Sequence, residues 1–225
     1  MTYTISRRSG APVASDGWTD EYWAKVPALS VDQFHPESSD HHPVTEVKAT
    51  HTQDDIHVFF RVRDRYVRCV HTELNSAVCR DSCAEFFVQP PDGAGYFNFE
   101  INCGGTMLLY YIEDPTPDPA TGDMKKRTEV TADLADLVTI RPSMPKLVDP
   151  EITDPVEWTL QYSIPVKLME HYVGALGPMG GQEWRANFYK CADQTSHPHW
   201  ASWAPIGEEL NFHQPKRFAP IIFEA

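Results

Sequence analysis

No stretch of this sequence approaches the roughly 18 consecutive apolar residues of a membrane-spanning helix. Basic residues are scarce: 19 Lys and Arg stand against 32 Asp and Glu, a formal net charge of −13. A surface that tracks nucleic-acid phosphates needs net positive charge, so that function is excluded, and so is attraction to an anionic membrane. Glycine is outnumbered by proline, 12 to 19. A chain broken so often suits short strands and long loops better than a helical bundle. The first residues, Met1 to Arg8, carry Arg7 and Arg8 but no apolar segment follows, so the chain as given reads as cytoplasmic, or as secreted if a leader has been removed.

Five cysteines occur, Cys69, Cys79, Cys83, Cys103 and Cys191. An odd number cannot pair completely, and no CxxC pair suggests zinc, so they read as reduced and mostly buried. Aromatic residues at 12% and charged residues at 23% exclude wholesale disorder. The length of 225 residues fits one domain over 1–225.

What is present is a period of two. Ile56, Val58, Phe60 and Val62 alternate with His57, Phe59, Arg61 and Arg63. Phe97, Phe99 and Ile101 alternate with Tyr96, Asn98, Glu100 and Asn102, and Trp158, Leu160, Tyr162 and Ile164 with Glu157, Thr159, Gln161 and Ser163. One apolar face at period two predicts a half-buried strand. Further strands are expected over 44–51, 66–72, 84–89, 106–112, 138–142, 184–191 and 217–223. Turns fall at Gln53-Asp54-Asp55, Pro90-Pro91-Asp92-Gly93 and Cys103-Gly104-Gly105. Helical signals are confined to 165–172, after Pro165, and 131–137, after Thr131. The polar, proline-rich stretch 113–127 reads as a solvated loop. The fold class is all-β: an antiparallel, jelly-roll-like β-sandwich with at most one or two short helices.

Three strands carry unusual residues opposite their apolar ones. With Ala84, Phe86, Val88, Ala186 and Phe188 inward, the other face holds Glu85, Asn98, Glu100, Arg185, Asn187 and Tyr189 if the strands are neighbours. Carboxylates accept from two hydroxyls at once, while Arg and Asn donate, a set suited to sugars. The loops add His199, Trp200, Phe212 and His213; flat aromatic rings stack on the C–H faces of a pyranose. His197, His199 and His213, and separately Asp40-His41-His42, have the residue types of a metal site, but a solvated loop is the simpler reading of the second group. Lys190 alternates with Phe188 and Ala186, which places it at the end of the core.

The motifs in chain order resemble family 9 carbohydrate-binding modules. Asp16-Gly17-Trp18-Thr19-Asp20-Glu21-Tyr22-Trp23 is similar to the family's opening, and Asp81-Ser82-Cys83-Ala84-Glu85-Phe86-Phe87-Val88 to its "DSVEIFI" strand. Tyr96 to Asn102, Trp158 to Pro165 and Pro215-Lys216-Arg217-Phe218 match three later segments. The resemblance implies a DOMON-like β-sandwich that binds a mono- or oligosaccharide without catalysis, at the reducing end in many members. It implies ligand contact by Glu85, puts Glu100 where sugar binders carry a basic residue, and puts Asn187 or Tyr189 near a contacting amide. Two departures stand out. Ala77-Val78-Cys79 and Phe212-His213 occupy the places of two sugar-sandwiching tryptophans, and Ala219 replaces a final glycine.

No cofactor is required on this reading. Some members carry structural calcium, for which Asp16, Asp20, Asp64, Asp81 and Asp154 offer carboxylates at turns. The partner is a carbohydrate ligand, with no nucleic acid and no membrane; the oligomeric state is not legible. The alternative is a stand-alone enzyme on a sugar-like substrate, with Glu85, Glu100, His199, His213 or Tyr189 as acid–base groups. A third reading is non-covalent haem held by Met107 with Lys190 or His199.

Overall fold

A computed structural model of the chain describes residues 1–91 and 95–225. Its strands are β1 (Tyr3–Arg7), β2 (Leu29–Ser30), β3 (Gln33–Phe34), β4 (Val44–His51), β5 (Asp55–Asp64), β6 (Val67–Cys69), β7 (Cys83–Gln89), β8 (Tyr96–Asn102) and β9 (Met107–Leu108). They continue with β10 (Tyr110–Pro117), β11 (Met124–Glu129), β12 (Thr139–Pro142), β13 (Val148–Ile152), β14 (Val156–Pro165), β15 (Glu183–Cys191), β16 (Trp200–Ser202) and β17 (Ala219–Phe223). The helices are α1 (Glu21–Ala24), α2 (Ala132–Ala135) and α3 (Val166–Val173). The last two answer the expected helical segments; the single turn of α1 is additional. Asp92 and Gly93 of the expected turn lie outside the described residues. Among the described residues no helix is long and apolar enough to cross a membrane.

Two sheets form the sandwich. One runs β11-β10-β8-β7-β15-β17-β1, the other β1-β4-β5-β14-β12. Strand β1 belongs to both: Tyr3–Ile5 pair with β17, and Ser6 and Arg7 pair with β4. Both pairings are parallel, an exception to the antiparallel expectation. By bridging the two sheets, β1 covers an edge on each that would otherwise be open.

The inward faces meet as the alternation predicts. Ile56, Val58, Phe60 and Val62 of β5 and Trp158, Leu160, Tyr162 and Ile164 of β14 share one buried cluster with Phe86, Val88, Phe97, Phe99, Ile101 and Phe188. The Phe86 and Phe188 rings stack at 4.7 Å, and Phe60 meets Phe188 edge-on at 6.1 Å. Each such phenyl removed from water contributes roughly 2–3 kcal/mol.

The outer faces depart from the half-buried expectation. Every residue of β8 is buried, polar positions included. The segment after β16 packs over this sheet, where Phe87, Tyr96, Ile112, Tyr189, Ile206 and Phe218 form a second apolar cluster. Over the other sheet, Trp18 and Trp23 cover Phe59, and the Lys48 ammonium donates to the Trp18 and Trp23 carbonyls at 2.9 and 2.8 Å. Chain segments remote in sequence thus supply the covers.

Residues 113–127 are not a plain loop. They lie largely in the β10–β11 hairpin, whose Met124 packs beside the second apolar cluster. Its strand prolines, Pro115 and Pro117, lie in β10 beyond Ile112, where β10 no longer pairs with β8 and its register with β11 shifts, so a missing N–H costs no ladder bond there. His41 also departs from expectation: it leaves the solvated loop and bonds Asp64 through Nε2 at 2.7 Å.

Candidate sugar-binding cavity

Sheet register brings the outward residues together. Glu85 on β7 stands opposite Glu100 on β8 and opposite Tyr189 on β15. The next row is Asn98, Phe87, Asn187, and the row on the other side is Asn102, Cys83, Cys191. Alternation puts every one of these side chains on the face away from the main core.

A cavity of about 220 Å³ opens over the Glu85 and Glu100 carboxyls. Phe87, Cys191 and Asp193 complete its floor, and Cys79, Trp200 and residues Leu210 to His213 complete its walls. Trp200 donates from Nε1 to Asp193 at 2.8 Å, which fixes the indole plane. Phe212 stacks on Tyr189 at 4.0 Å with the rings 10° apart, and Tyr189 O–H donates to the Phe212 carbonyl. Tyr96 O–H and His213 Nδ1 are 2.8 Å apart, and His213 Nε2 lies 3.9 Å from Glu100. With the ring neutral, the phenol donates to Nδ1 and the Nε2–H faces the carboxyl.

Burial, and then the neighbouring Glu100 charge, push the Glu85 carboxyl well above its ordinary range. Burial likewise raises Glu100, against the hydrogen bond that Asn98 donates to it at 2.9 Å. Burial lowers His213 to about 4, so its imidazole is neutral at pH 7. The cavity therefore offers two carboxyl groups, one neutral imidazole and flat apolar walls: many acceptors for hydroxyl groups and little net compensation by positive charge.

Five of the ten residues singled out in the sequence line this cavity: Glu85, Glu100, Trp200, Phe212 and His213. The others are placed differently. Asn98 sits behind Glu100 and accepts from the Tyr110 N–H. Tyr189 lies under Phe212. Asn187 clamps the backbone of Ala204, donating to its carbonyl and accepting from its N–H, both at 2.9 Å. Arg185 is exposed and donates to the Phe218 carbonyl. His199 lies in a separate buried network: its Nε2 is 2.8 Å from Lys190 Nζ, which is 3.7 Å from Asp64. Burial alone would raise the Asp64 carboxyl, but Lys190 and hydrogen bonds from His41 and Trp158 bring it down to about 2. This network holds Lys190 and His199 against each other, which leaves neither free as a haem ligand.

The three histidines considered together in the sequence are likewise separated, because His213 belongs to the cavity and His199 to this network. Four of the five aspartates offered for calcium have partners within the protein. Asp16 and Asp20 accept from turn N–H groups, Asp64 serves Lys190, and Asp81 faces Arg68 and His71. Among the described residues, the group with metal-ligating spacing is Cys83, Glu85 and Cys191.

Sequence reading missed Asp193, Leu210, Asn211 and Cys79 as cavity residues. Asp193 was within reach, since it continues the Tyr189, Cys191 alternation by one step. Cys79 stands where the sandwiching tryptophan was expected and indeed borders the cavity.

A larger cleft of about 400 Å³ lies between the Gln53–Asp55 turn and the start of α3, but it has no aromatic wall.

The family model "Carbohydrate-binding family 9" matches residues 21–223. The chain belongs to carbohydrate-binding family 9. A protein of Bacteroides uniformis, described as carbohydrate-binding, is similar in structure at a TM-score of 0.84, with 26% identity and 99% of each chain covered. A family 9 module of Caldicellulosiruptor kristjanssonii, in complex with glucose, shares the fold at a TM-score of 0.58, with 14% identity over 100% of this chain and 96% of that one. Its complex with cellotriose gives 0.61, at 14% identity over 100% and 94%. Among curated proteins nothing matches. Membership in family 9 accounts for the order of motifs from Trp23 to Phe218 and for the sandwich that carries them.

Proposed function

We propose that this family 9 protein binds a mono- or oligosaccharide, without catalysis, in the cavity over Glu85 and Glu100. The observation that carries the reading is the pair of carboxyl groups in one row of the sheet, in a cavity also lined by Trp200, Phe212 and His213. Sugar hydroxyls donate to such carboxyls, and the C–H faces of the ring pack on the aromatic walls. The volume equals about seven waters at ~30 Å³ each, which suits one pyranose ring and so the end of a chain. The glucose and cellotriose held by the Caldicellulosiruptor module support hexoses as the ligand class.

Membership in a family of carbohydrate-binding modules supports binding over turnover. His199 lies outside the cavity, which removes one of the acid–base candidates.

Isothermal calorimetry against mono- and disaccharides with free and blocked reducing ends tests the reading. Saturable heat that Glu100→Ala abolishes is expected, and blocking the reducing end is expected to remove it. Heat that never settles would indicate turnover and overturn the non-catalytic reading. Silence across the panel would overturn the hexose class.

A further inference from the structure

We propose that Cys83, Glu85 and Cys191 form a binding site for a thiophilic divalent cation, of the zinc type, at the floor of the cavity. Their ligand atoms all lie within 4.8 Å of one another, and all three residues are buried. Cys191 Sγ is 3.0 Å from Glu85 Oε1. The chain spacing hides this site: Cys83 and Cys191 are far apart in sequence but are register partners on β7 and β15. Glu85 follows Cys83 by two residues and so shares its face. The ligands stand on adjacent strands of one sheet, the placement that holds a metal site most rigidly.

Zinc–sulfur bonds of ~2.3 Å and zinc–oxygen bonds of ~2.1 Å place tetrahedral ligand atoms about 3.5 Å from each other. Side-chain rotation closes the remaining difference without moving either strand. Two sulfurs select a soft cation over calcium or magnesium. Glu85 and Cys191 border the cavity, which gives an ion an entry path, and Cys83 is buried beside them. Asp193 and Glu100 add carboxyl oxygens in the cavity. On binding, the two S–H bonds and the Glu85 O–H bond break, two sulfur–metal bonds and one oxygen–metal bond form, and the protons pass to solvent. Cys69 and Cys103 form a separate buried thiol pair, near Gly104 and outside this site.

Cobalt(II) titration of the reduced protein under nitrogen, with no sugar present, tests the site. One equivalent is expected to bind with sulfur-to-cobalt charge-transfer absorption, and zinc is expected to displace it. Cys83→Ala and Cys191→Ala are expected to reduce that absorption strongly, and Cys69→Ala to leave it unchanged. Glu85→Gln keeps the side-chain shape and both thiols; it is expected to retain the absorption and weaken cobalt binding by at least about tenfold, the least that loss of even an outer-shell partner costs. All variants are read beside their thermal transitions, and Glu85→Gln alone decides if a cysteine variant does not fold. Folded wild-type protein without the absorption would overturn the site, as would absorption lost in Cys69→Ala or cobalt affinity unchanged in Glu85→Gln. The outcome is independent of the sugar reading, since the metal alone is the probe.

Discussion

Glu85 and Glu100 face each other across β7 and β8, so two carboxyl groups share one buried place on the sheet. Glu85 accepts from Cys191, and Glu100 accepts from Asn98. Holding both groups here costs folding free energy, and the same arrangement concentrates acceptors where a ligand can reach them.

Glu100→Gln is therefore expected to stabilise the fold while weakening sugar binding. The folded-state carboxyl is raised above its unfolded value, so the wild-type protein loses stability as pH rises from the ordinary carboxylate range toward neutrality. The gain of the variant should be small at pH 5 and largest at pH 8, of order 1–2 kcal/mol, or a melting rise of several degrees at about 2–4 °C per kcal/mol. Thermal melts across pH measure it; a gap that shrinks with rising pH would contradict the buried pair.

Stability should fall on the acid side for a different reason. Burial, with Arg141 and His51 nearby, lowers His57 from 6.5 to about 4, and its Nδ1 is 2.7 Å from Ser163 Oγ. The unfolded chain binds the proton first, so stability drops as pH falls from 6.5 to about 4, by up to about 3 kcal/mol. His57→Gln should lessen that slope in urea unfolding by its share, with His213, lowered to about 4, still acting over the same range. Asp64 adds its loss only at lower pH, because its folded value is about 2.

Lys190→Met is expected to destabilise the protein by about 3–5 kcal/mol, because Asp64 is left as a buried charge without its ammonium. Lys190→Met with Asp64→Asn should recover most of the loss. Denaturant titration of the three variants measures the coupling.

Trp200→Ala should weaken sugar binding about tenfold, near 1.4 kcal/mol, with little change in the thermal transition. Asn187→Ala should do the reverse in part. It leaves the Ala204 N–H and carbonyl without their partner, costs about 1–3 kcal/mol, and loosens the segment that carries Phe212 and His213. Calorimetry with each variant separates a ligand contact from a support.

The alternation of Phe97, Phe99 and Ile101 with Asn98 and Glu100 determined the strand and its two faces, because a period of two is local. The same rule placed Glu85, Asn187 and Tyr189 on one side and Lys190 at the core end, and the ordered motifs determined the family. Strand β1 escaped notice since Tyr3 and Ile5 are too short a signal, and its two partners lie at opposite ends of the chain. The hairpin in 113–127 was hidden by its prolines, which β10 accepts only because its pairing with β8 ends at Ile112 and its register with β11 shifts beyond it. Tertiary structure alone decided that β15, β7 and β8 are neighbours in that order, and so that Glu85 meets Glu100 and Cys83 meets Cys191. It alone decided that Leu210 to His213 roof the carboxyls while Arg185 stays exposed and His199 turns to Lys190. Alternation gives the side of a strand a residue occupies; which remote segment covers that side depends on packing between residues more than 100 positions apart.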